Sequence, residues 1–287
     1  MVVKRVKLRS YWTLIKSLQT GLLLLTGVAG FMSARCPMLG WRMLLGLMGS
    51  LFLAISGSTV LNMVLDRDID ARMDRTCMRP LPSGKVGVRE ALGLGLVMAV
   101  GGVGWAFWMA PGYGAVVLTG LLVDVLVYTA WLKRRTAWSI ILGGIAGGMP
   151  ALAGRVLGLG AFDWIGLLLG LAVLCWIPTH IMTFSMRYRR DYAQAGVPTF
   201  PSTYGDVATR LVIAIASMAA ALCMGTAAYG IGMTWGYLRL LVVLSAGLLV
   251  LAVGSVRNPS TRLNFGLFKY ASVYMMGSML LVVAGAI

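Results

Sequence analysis

Charge is scarce in this chain. Only 12% of its 287 residues are Asp, Glu, Lys or Arg, about half the ~25% of an ordinary soluble domain, which argues against a water-soluble globule. Histidine occurs once, as His180, so two-histidine haem ligation within one chain is excluded. The four cysteines, Cys36, Cys77, Cys175 and Cys223, are far apart. They form no C-x-x-C or Cys/His spacing, so they read as small apolar fillers rather than a metal or redox centre. Acidic residues number nine against 25 Lys and Arg, a net charge of +16. Such an excess suits nucleic acid only with a basic patch interleaved with aromatics, and here the basic residues are scattered over short loops; nucleic acid is not an expected partner. No low-complexity linker divides the chain, so residues 1–287 read as one membrane domain. No small-residue cleavage site follows the first apolar run, which reads as a retained helix.

What is abundant is apolar sequence, at 59% hydrophobic residues and a mean hydropathy of +0.85. Stretches near the ~20 residues that cross a bilayer recur along the chain. They predict an all-α polytopic membrane protein with nine spans at 11–34, 42–65, 89–109, 112–131, 137–158, 162–184, 207–229, 235–256 and 265–286. Basic residues then collect on one side: Lys4, Arg5, Lys7, Arg9 and Lys16; Arg67, Arg72, Arg75, Arg79, Lys85 and Arg89; Lys133, Arg134 and Arg135; Arg187, Arg189, Arg190 and Arg210; Arg257, Arg262 and Lys269. The other side keeps Arg35, Arg42, Arg155 and Arg239. The positive-inside rule places the amino terminus in the cytoplasm and the carboxyl terminus outside. Most of the basic residues read as topology determinants and contacts to anionic membrane lipids.

Four of the nine carboxylates fall within nine residues, as Asp66, Asp68, Asp70 and Asp74. Asn62, Asp66, Asp70 and Asp74 recur every four residues and share one face if the preceding helix continues. Carboxylates are costly in hydrocarbon, and a helix carboxyl terminus disfavours negative charge. A compensating cation is therefore expected, and Mg²⁺ with phosphate oxygens suits this ligand type. Intrahelical pairing with Arg67, Arg72 and Arg75 is the plainer alternative.

Two polar loops stand out, 66–88 and 185–206, each with Asp, Arg and a Pro-Ser element. They lie four helices apart, as a parallel internal repeat would place them, and Asp191 in the second becomes a further metal contact. His180 reads either as a hydrogen-bonded helix-end residue or as a substrate contact, proton acceptor or haem ligand. Asp124, inside a span, is either functional or a carboxyl bonded to a neighbouring helix. The run Gly143-Gly144-Ile145-Ala146-Gly147-Gly148-Met149-Pro150 reads first as close helix packing, and secondly as a broken helix lining a cavity. A transporter would need coupling groups at the midplane of several helices, whereas most acidic residues here sit at one membrane face.

At these positions the chain resembles the UbiA superfamily of intramembrane prenyltransferases. The superfamily's N-x-x-x-D-x-x-x-D is present as Asn62, Asp66 and Asp70. The continuation Asp70-Ala71-Arg72-Met73-Asp74-Arg75-Thr76 to Arg79-Pro80-Leu81-Pro82-Ser83-Gly84 is similar to that of its haem-farnesylating branch. So are Tyr128-Thr129-Ala130-Trp131-Leu132-Lys133-Arg134, Gly143 to Gly154, and Asp191-Tyr192-Ala193-Gln194-Ala195-Gly196-Val197-Pro198. These matches run from about residue 11 to 205; beyond them the likeness is only of apolar helices. The chain departs from the branch at Thr179, Ile181, Ala151 and Arg155, on the acceptor side, and carries one aspartate in the second motif.

The resemblance implies helices around a central cavity. It implies Mg²⁺ held by Asn62, Asp66, Asp70 and Asp191, the catalytic set, and phosphate contacts from Arg75, Arg79, Lys133 and Arg134. It implies farnesyl diphosphate as donor and a vinyl group of heme B as acceptor, with His180 as a haem contact. Tyr128 and the loop tyrosines would stabilise positive charge through their rings. Contact with downstream haem enzymes or the terminal oxidase pathway would follow. Other superfamily acceptors (a quinone precursor, a chlorophyll-type alcohol, an archaeal glycerol-phosphate lipid) are the alternative.

Overall fold

The computed structural model describes residues 10–35 and 40–286; Lys4, Arg5, Lys7, Arg9 and Cys36 lie outside them. The described residues are helical, without a strand: α1 Ser17–Ser33, α2 Trp41–Leu65, α3 Arg67–Arg72, α4 Val88–Met109, α5 Pro111–Leu122, α6 Ser139–Leu159, α7 Trp164–Arg187, α8 Arg189–Gln194, α9 Phe200–Ile231, α10 Trp235–Arg257 and α11 Thr261–Ala286. A π-helical segment, Val123–Leu132, continues α5. Eight helices are long and apolar enough to cross a bilayer, and α1 is a shorter apolar helix. With α1 as the ninth, they follow the nine predicted spans.

Two ends differ from expectation. The first helix breaks at Lys16, whose backbone is left-handed (φ 44°), so α1 starts at Ser17 rather than 11. The seventh span starts at Phe200, because Thr199 and Ser202 form a reciprocal capping box with Pro201 in the first turn. Gly205, at φ 81° and ψ 173°, then kinks the helix before the expected start.

Side chains facing outward are apolar, among them Val97, Val100, Leu222, Val242 and Val250. Exposed Trp41, Trp108, Trp164 and Trp235 mark one set of helix ends, and Trp12, Trp131 and Trp138 the other; tryptophan favours both membrane interfaces. Successive long helices pack side by side, and α11 closes the bundle against α1 and α7. The tightest seam joins α1, α6 and α7. A Cβ on Gly154 would meet the Gly27 carbonyl oxygen at 1.9 Å, and one on Gly148 the Gly170 carbonyl oxygen at 2.4 Å. The glycine run thus lets backbones touch, and α6 passes through Pro150 unbroken.

Arg155 is engaged at a helix end. Its guanidinium donates to both Asp163 oxygens, at 2.7 Å for the Nη2–Oδ2 bond, and to the Ser33 carbonyl. It thereby ties α1 to the α6–α7 turn at the end of the bundle opposite the acidic loops. Breaking a buried pair costs about 3–5 kcal/mol because one charge is left behind. Arg155→Met is expected to lower the thermal midpoint of the purified protein sharply, and adding Asp163→Asn to recover part of the loss.

Candidate active site

The acidic knot forms because the helical hydrogen bonds continue past the end of α2. The Asp66 and Asp70 amides donate to the Asn62 and Asp66 carbonyls, each at 2.8 Å. Asn62, Asp66 and Asp70 therefore stay on one row, and both carboxylates are buried, at 7% and 6% exposure. Asp74 does not join them. Met73 is extended (φ −102°, ψ 127°) and ends α3, which leaves Asp74 exposed.

The loop after α3 is built around this turn. Met73 is buried with Ile69, Ala195 and Val197, so an apolar contact joins the two polar loops. The Thr76 hydroxyl donates to the Asp70 carbonyl at 2.8 Å. Arg79 then folds back and donates to both Asp70 oxygens, at 3.0 and 2.8 Å. The second loop repeats the layout: α7 breaks at Tyr188 (φ −105°, ψ 33°) as α2 does at Asp66 (φ −90°, ψ 4°), and each break starts a six-residue helix. Asp191 lies in the second of these, 3.5 Å from Arg75 Nε.

Each carboxylate has its own cation. Lys133 pairs with Asp66, Arg79 with Asp70 and Arg75 with Asp191. Burial works against the Lys133 charge, but the Tyr128 and Asp66 oxygens beside it hold its pKa above the ordinary lysine value. Arg134 points elsewhere, to Asp68 at 2.6 and 2.7 Å and to the Leu65 carbonyl at 2.7 Å. Hydrogen bonding from Arg134 lowers the Asp68 pKa to about 2. This outer pair is exposed, whereas Lys133 reaches inward, since consecutive helical residues diverge by roughly 100°.

The expected four-ligand set is therefore not gathered as a cage. Among the described residues no three Asp, Glu, His or Cys side chains converge on one point, because the cations divide the carboxylates. A narrower site does fit a cation. Asn62 Oδ1 and Asp66 Oδ1 are buried without a hydrogen-bond partner, and an unsatisfied buried acceptor costs about 1–3 kcal/mol.

Asp124 accounts for the orientation of Asn62. Its Oδ2 accepts from Asn62 Nδ2 at 2.7 Å and from the Ser58 hydroxyl. A carboxylate only accepts, so the amide nitrogen is committed and Oδ1 is presented to the site. The π-helical stretch that carries Asp124 is a form frequent at functional sites. Asp124→Ala is expected to cut the activity of the site about tenfold or more by freeing the amide to turn. Ser58→Ala, which leaves the Asn62–Asp124 bond, is expected to cost less in the same assay.

Tyr128 lies over Lys133, with Nζ 5.8 Å from the ring centroid. Arg75 is caged by Phe184, Tyr188 and Tyr192 at 5.0, 5.6 and 5.2 Å. Lys16 is a site residue the sequence reading missed. Burial pushes its ammonium down to about 8, with Arg79 and Lys133 adding to the push and Asp70 and Asp124 opposing it. Its left-handed backbone, uncommon for a residue other than glycine, is the only local mark of its role, and no Gly or Pro signals it.

His180 stands deeper on α7, between Trp176 at 4.9 Å and Phe268 at 4.6 Å, both stacked. Both ring faces are covered, so only its edge is available. The Ser272 hydroxyl lies 3.3 Å from Nδ1 and donates to the Phe268 carbonyl at 3.4 Å. This contact to Nδ1 fixes the orientation of the ring and leaves Nε2 as the other nitrogen on the edge. Phe268 and Ser272 come from α11, in the part of the chain that sequence motifs left blank.

Comparison with known proteins shows the family. Residues 23–273 match the UbiA prenyltransferase family. A protoheme IX farnesyltransferase of Korarchaeum cryptofilum is 42% identical over 215 residues, 74% of this chain and 72% of that protein. One of Desulforudis audaxviator is 35% identical over 272 residues, 93% and 85% of the two chains. The structure of a UbiA homolog from Archaeoglobus fulgidus bound to GPP and Mg2+ shares the fold at a TM-score of 0.66, with 16% identity over 96% of this chain and 99% of that one. With residues 23–273 matched and eight helices among the described residues long and apolar enough to cross a bilayer, the chain is an integral multi-pass membrane protein that belongs to the UbiA prenyltransferase family.

Proposed function

We propose that this protein transfers a farnesyl group from farnesyl diphosphate to a vinyl group of heme B, giving heme O. The observation that carries this reading is its 42% and 35% identity to protoheme IX farnesyltransferases. The family fold is shared with a homolog bound to GPP and Mg2+, and it supports Mg²⁺ at the oxygens of Asn62, Asp66 and Asp70, with Asp191 approaching from the second loop. Bound there, Mg²⁺ would neutralise diphosphate charge and make the diphosphate a better leaving group.

The chain's own residues do the rest. Arg79, Lys133 and Arg75 turn from their carboxylates towards phosphate oxygens, for which guanidinium forks are suited; Arg134 steadies the loop through Asp68. The allylic C–O bond breaks and its electron pair leaves with the diphosphate. Tyr128 and Tyr192 offer ring faces to the allylic cation, while the apolar bundle keeps bulk water away. The vinyl π electrons form the new C–C bond. Water adds to the cation that results beside the macrocycle and loses a proton, leaving a hydroxyethylfarnesyl side chain. His180, held by Trp176, Phe268 and Ser272, meets the haem.

The chain acts as one catalytic domain in the cell membrane, amino terminus cytoplasmic and carboxyl terminus outside. Its expected protein partners are downstream haem enzymes or the terminal oxidase pathway. Purified protein given Mg²⁺, farnesyl diphosphate and heme B is expected to yield a farnesylated, hydrated haem by mass spectrometry. Product only with an aromatic acid or a glycerol-phosphate lipid would overturn the acceptor assignment.

A further inference from the structure

The cytoplasmic ends of α7 and α11 hold a second charged group. Arg187 Cζ lies 4.1 Å from the centroid of the Phe265 ring, and Lys269 Nζ lies 4.6 Å from the same centroid. Both side chains are exposed. Among the described residues neither has a carboxylate partner; the ion pairs there use Arg75, Arg79, Lys133, Arg134, Arg155 and Arg189. Topology alone asks only that positive charge lie on this side of the bilayer. It does not ask that two cations share one ring, where they repel.

That ring is the end of a continuous aromatic row. Phe265 stacks with Phe268 at 6.0 Å and 11°, and Phe268 covers His180. The row thus runs from two unpaired cations in the aqueous layer to the lone imidazole inside the bundle. A ligand lying along it would need an apolar, flat body and an anionic end. A tetrapyrrole with two carboxylate side chains has both, and its carboxylates sit on one edge of the macrocycle.

We propose that Arg187 and Lys269 form an anion subsite that receives the paired carboxylates of the tetrapyrrole acceptor, with Phe265 holding the two cations in place. This rests on the acceptor assignment above. The carboxylate edge stays at the cytoplasmic rim, the macrocycle lies by Phe268 and His180, and the opposite, vinyl-bearing edge is turned into the bundle. The subsite therefore selects which edge of the acceptor reaches the prenyl donor.

The test compares heme B with its dimethyl ester, which lacks the two charges, by absorption titration of the protein in neutral phosphatidylcholine nanodiscs. The wild type is expected to bind the diacid about tenfold or more tightly than the diester, and R187Q/K269Q to bind the two alike. R187K/K269R, which keeps both charges, is expected to retain the preference, and the KM for farnesyl diphosphate is expected to stay unchanged in all three proteins. A double Gln variant that keeps the wild-type preference would overturn the subsite. So would a wild type that binds both haems equally, or an effect of the substitutions seen only when phosphatidylglycerol is added, which would mark a lipid contact. A wild type that farnesylates another acceptor and ignores both haems would instead remove the acceptor assignment itself.

Discussion

Asp66→Ala is expected to reduce farnesyl transfer at least a hundred- to thousandfold in kcat/KM, the usual cost of removing one main electrostatic contact to the reacting group. The side chain has two uses in the structure. Its Oδ2 balances Lys133, and its Oδ1 is a buried acceptor with nothing to accept from. Alanine removes the second and strands the first. Asp66→Asn separates them, since it keeps shape and a neutral oxygen but not the charge that Lys133 meets. Both variants are expected to reach the membrane fraction in normal amounts, because the carboxylate lies in a turn after α2 rather than in the packed seam. Asp70→Ala is expected to behave in the same way, through Arg79. Full activity in both alanine variants would remove the carboxylate row from the mechanism.

His180→Gln is expected to act on the other half of the reaction. The KM for heme B should rise about ten- to hundredfold, while the KM for farnesyl diphosphate stays near the wild-type value. The separation follows from position: His180 is bonded to Ser272 and stacked on Trp176 and Phe268, and none of these touches the carboxylate row. Ser272→Ala should shift the same parameter by less, since it removes the bond to Nδ1 without removing the imidazole. Steady-state kinetics with each substrate varied in turn would check this. A rise in both KM values together would mean that the ring supports the fold rather than the acceptor.

These two halves were unequally legible in the sequence. The donor half is local. Asn62, Asp66 and Asp70 follow a four-residue period, and the helical bonding that carries them past the end of α2 is what that period predicts. The inward turn of Lys133 and the outward turn of Arg134 were not legible, because which of two adjacent basic residues faces the site depends on where the π-helical stretch leaves the chain. Lys16 was hidden for a different reason: a left-handed break at a lysine has no compositional mark, and the apolar run appears continuous across it.

The acceptor half is tertiary. His180 could be singled out because it is the only histidine. Its neighbours could not, since Phe265, Phe268 and Ser272 look like ordinary members of an apolar span until α11 is packed on α7. Arg155 shows the converse. By motif it fell on the acceptor side, yet its two helix-end partners, Asp163 and Ser33, tie together the end of the bundle opposite the acidic loops.

The glycine seam has a consequence for motion. Where α1, α6 and α7 meet backbone to backbone at Gly27, Gly148, Gly154 and Gly170, no side chains lie between to change rotamer, so that slab moves as one piece. The α10 helix is different: of its residues only Leu241, Leu248, Ala252 and Ser255 are buried. Most of its surface faces the bilayer, as does that of α4 and of α5 with its π-helical continuation. The carboxylate turn follows α2, which packs on α1 at the border of that slab.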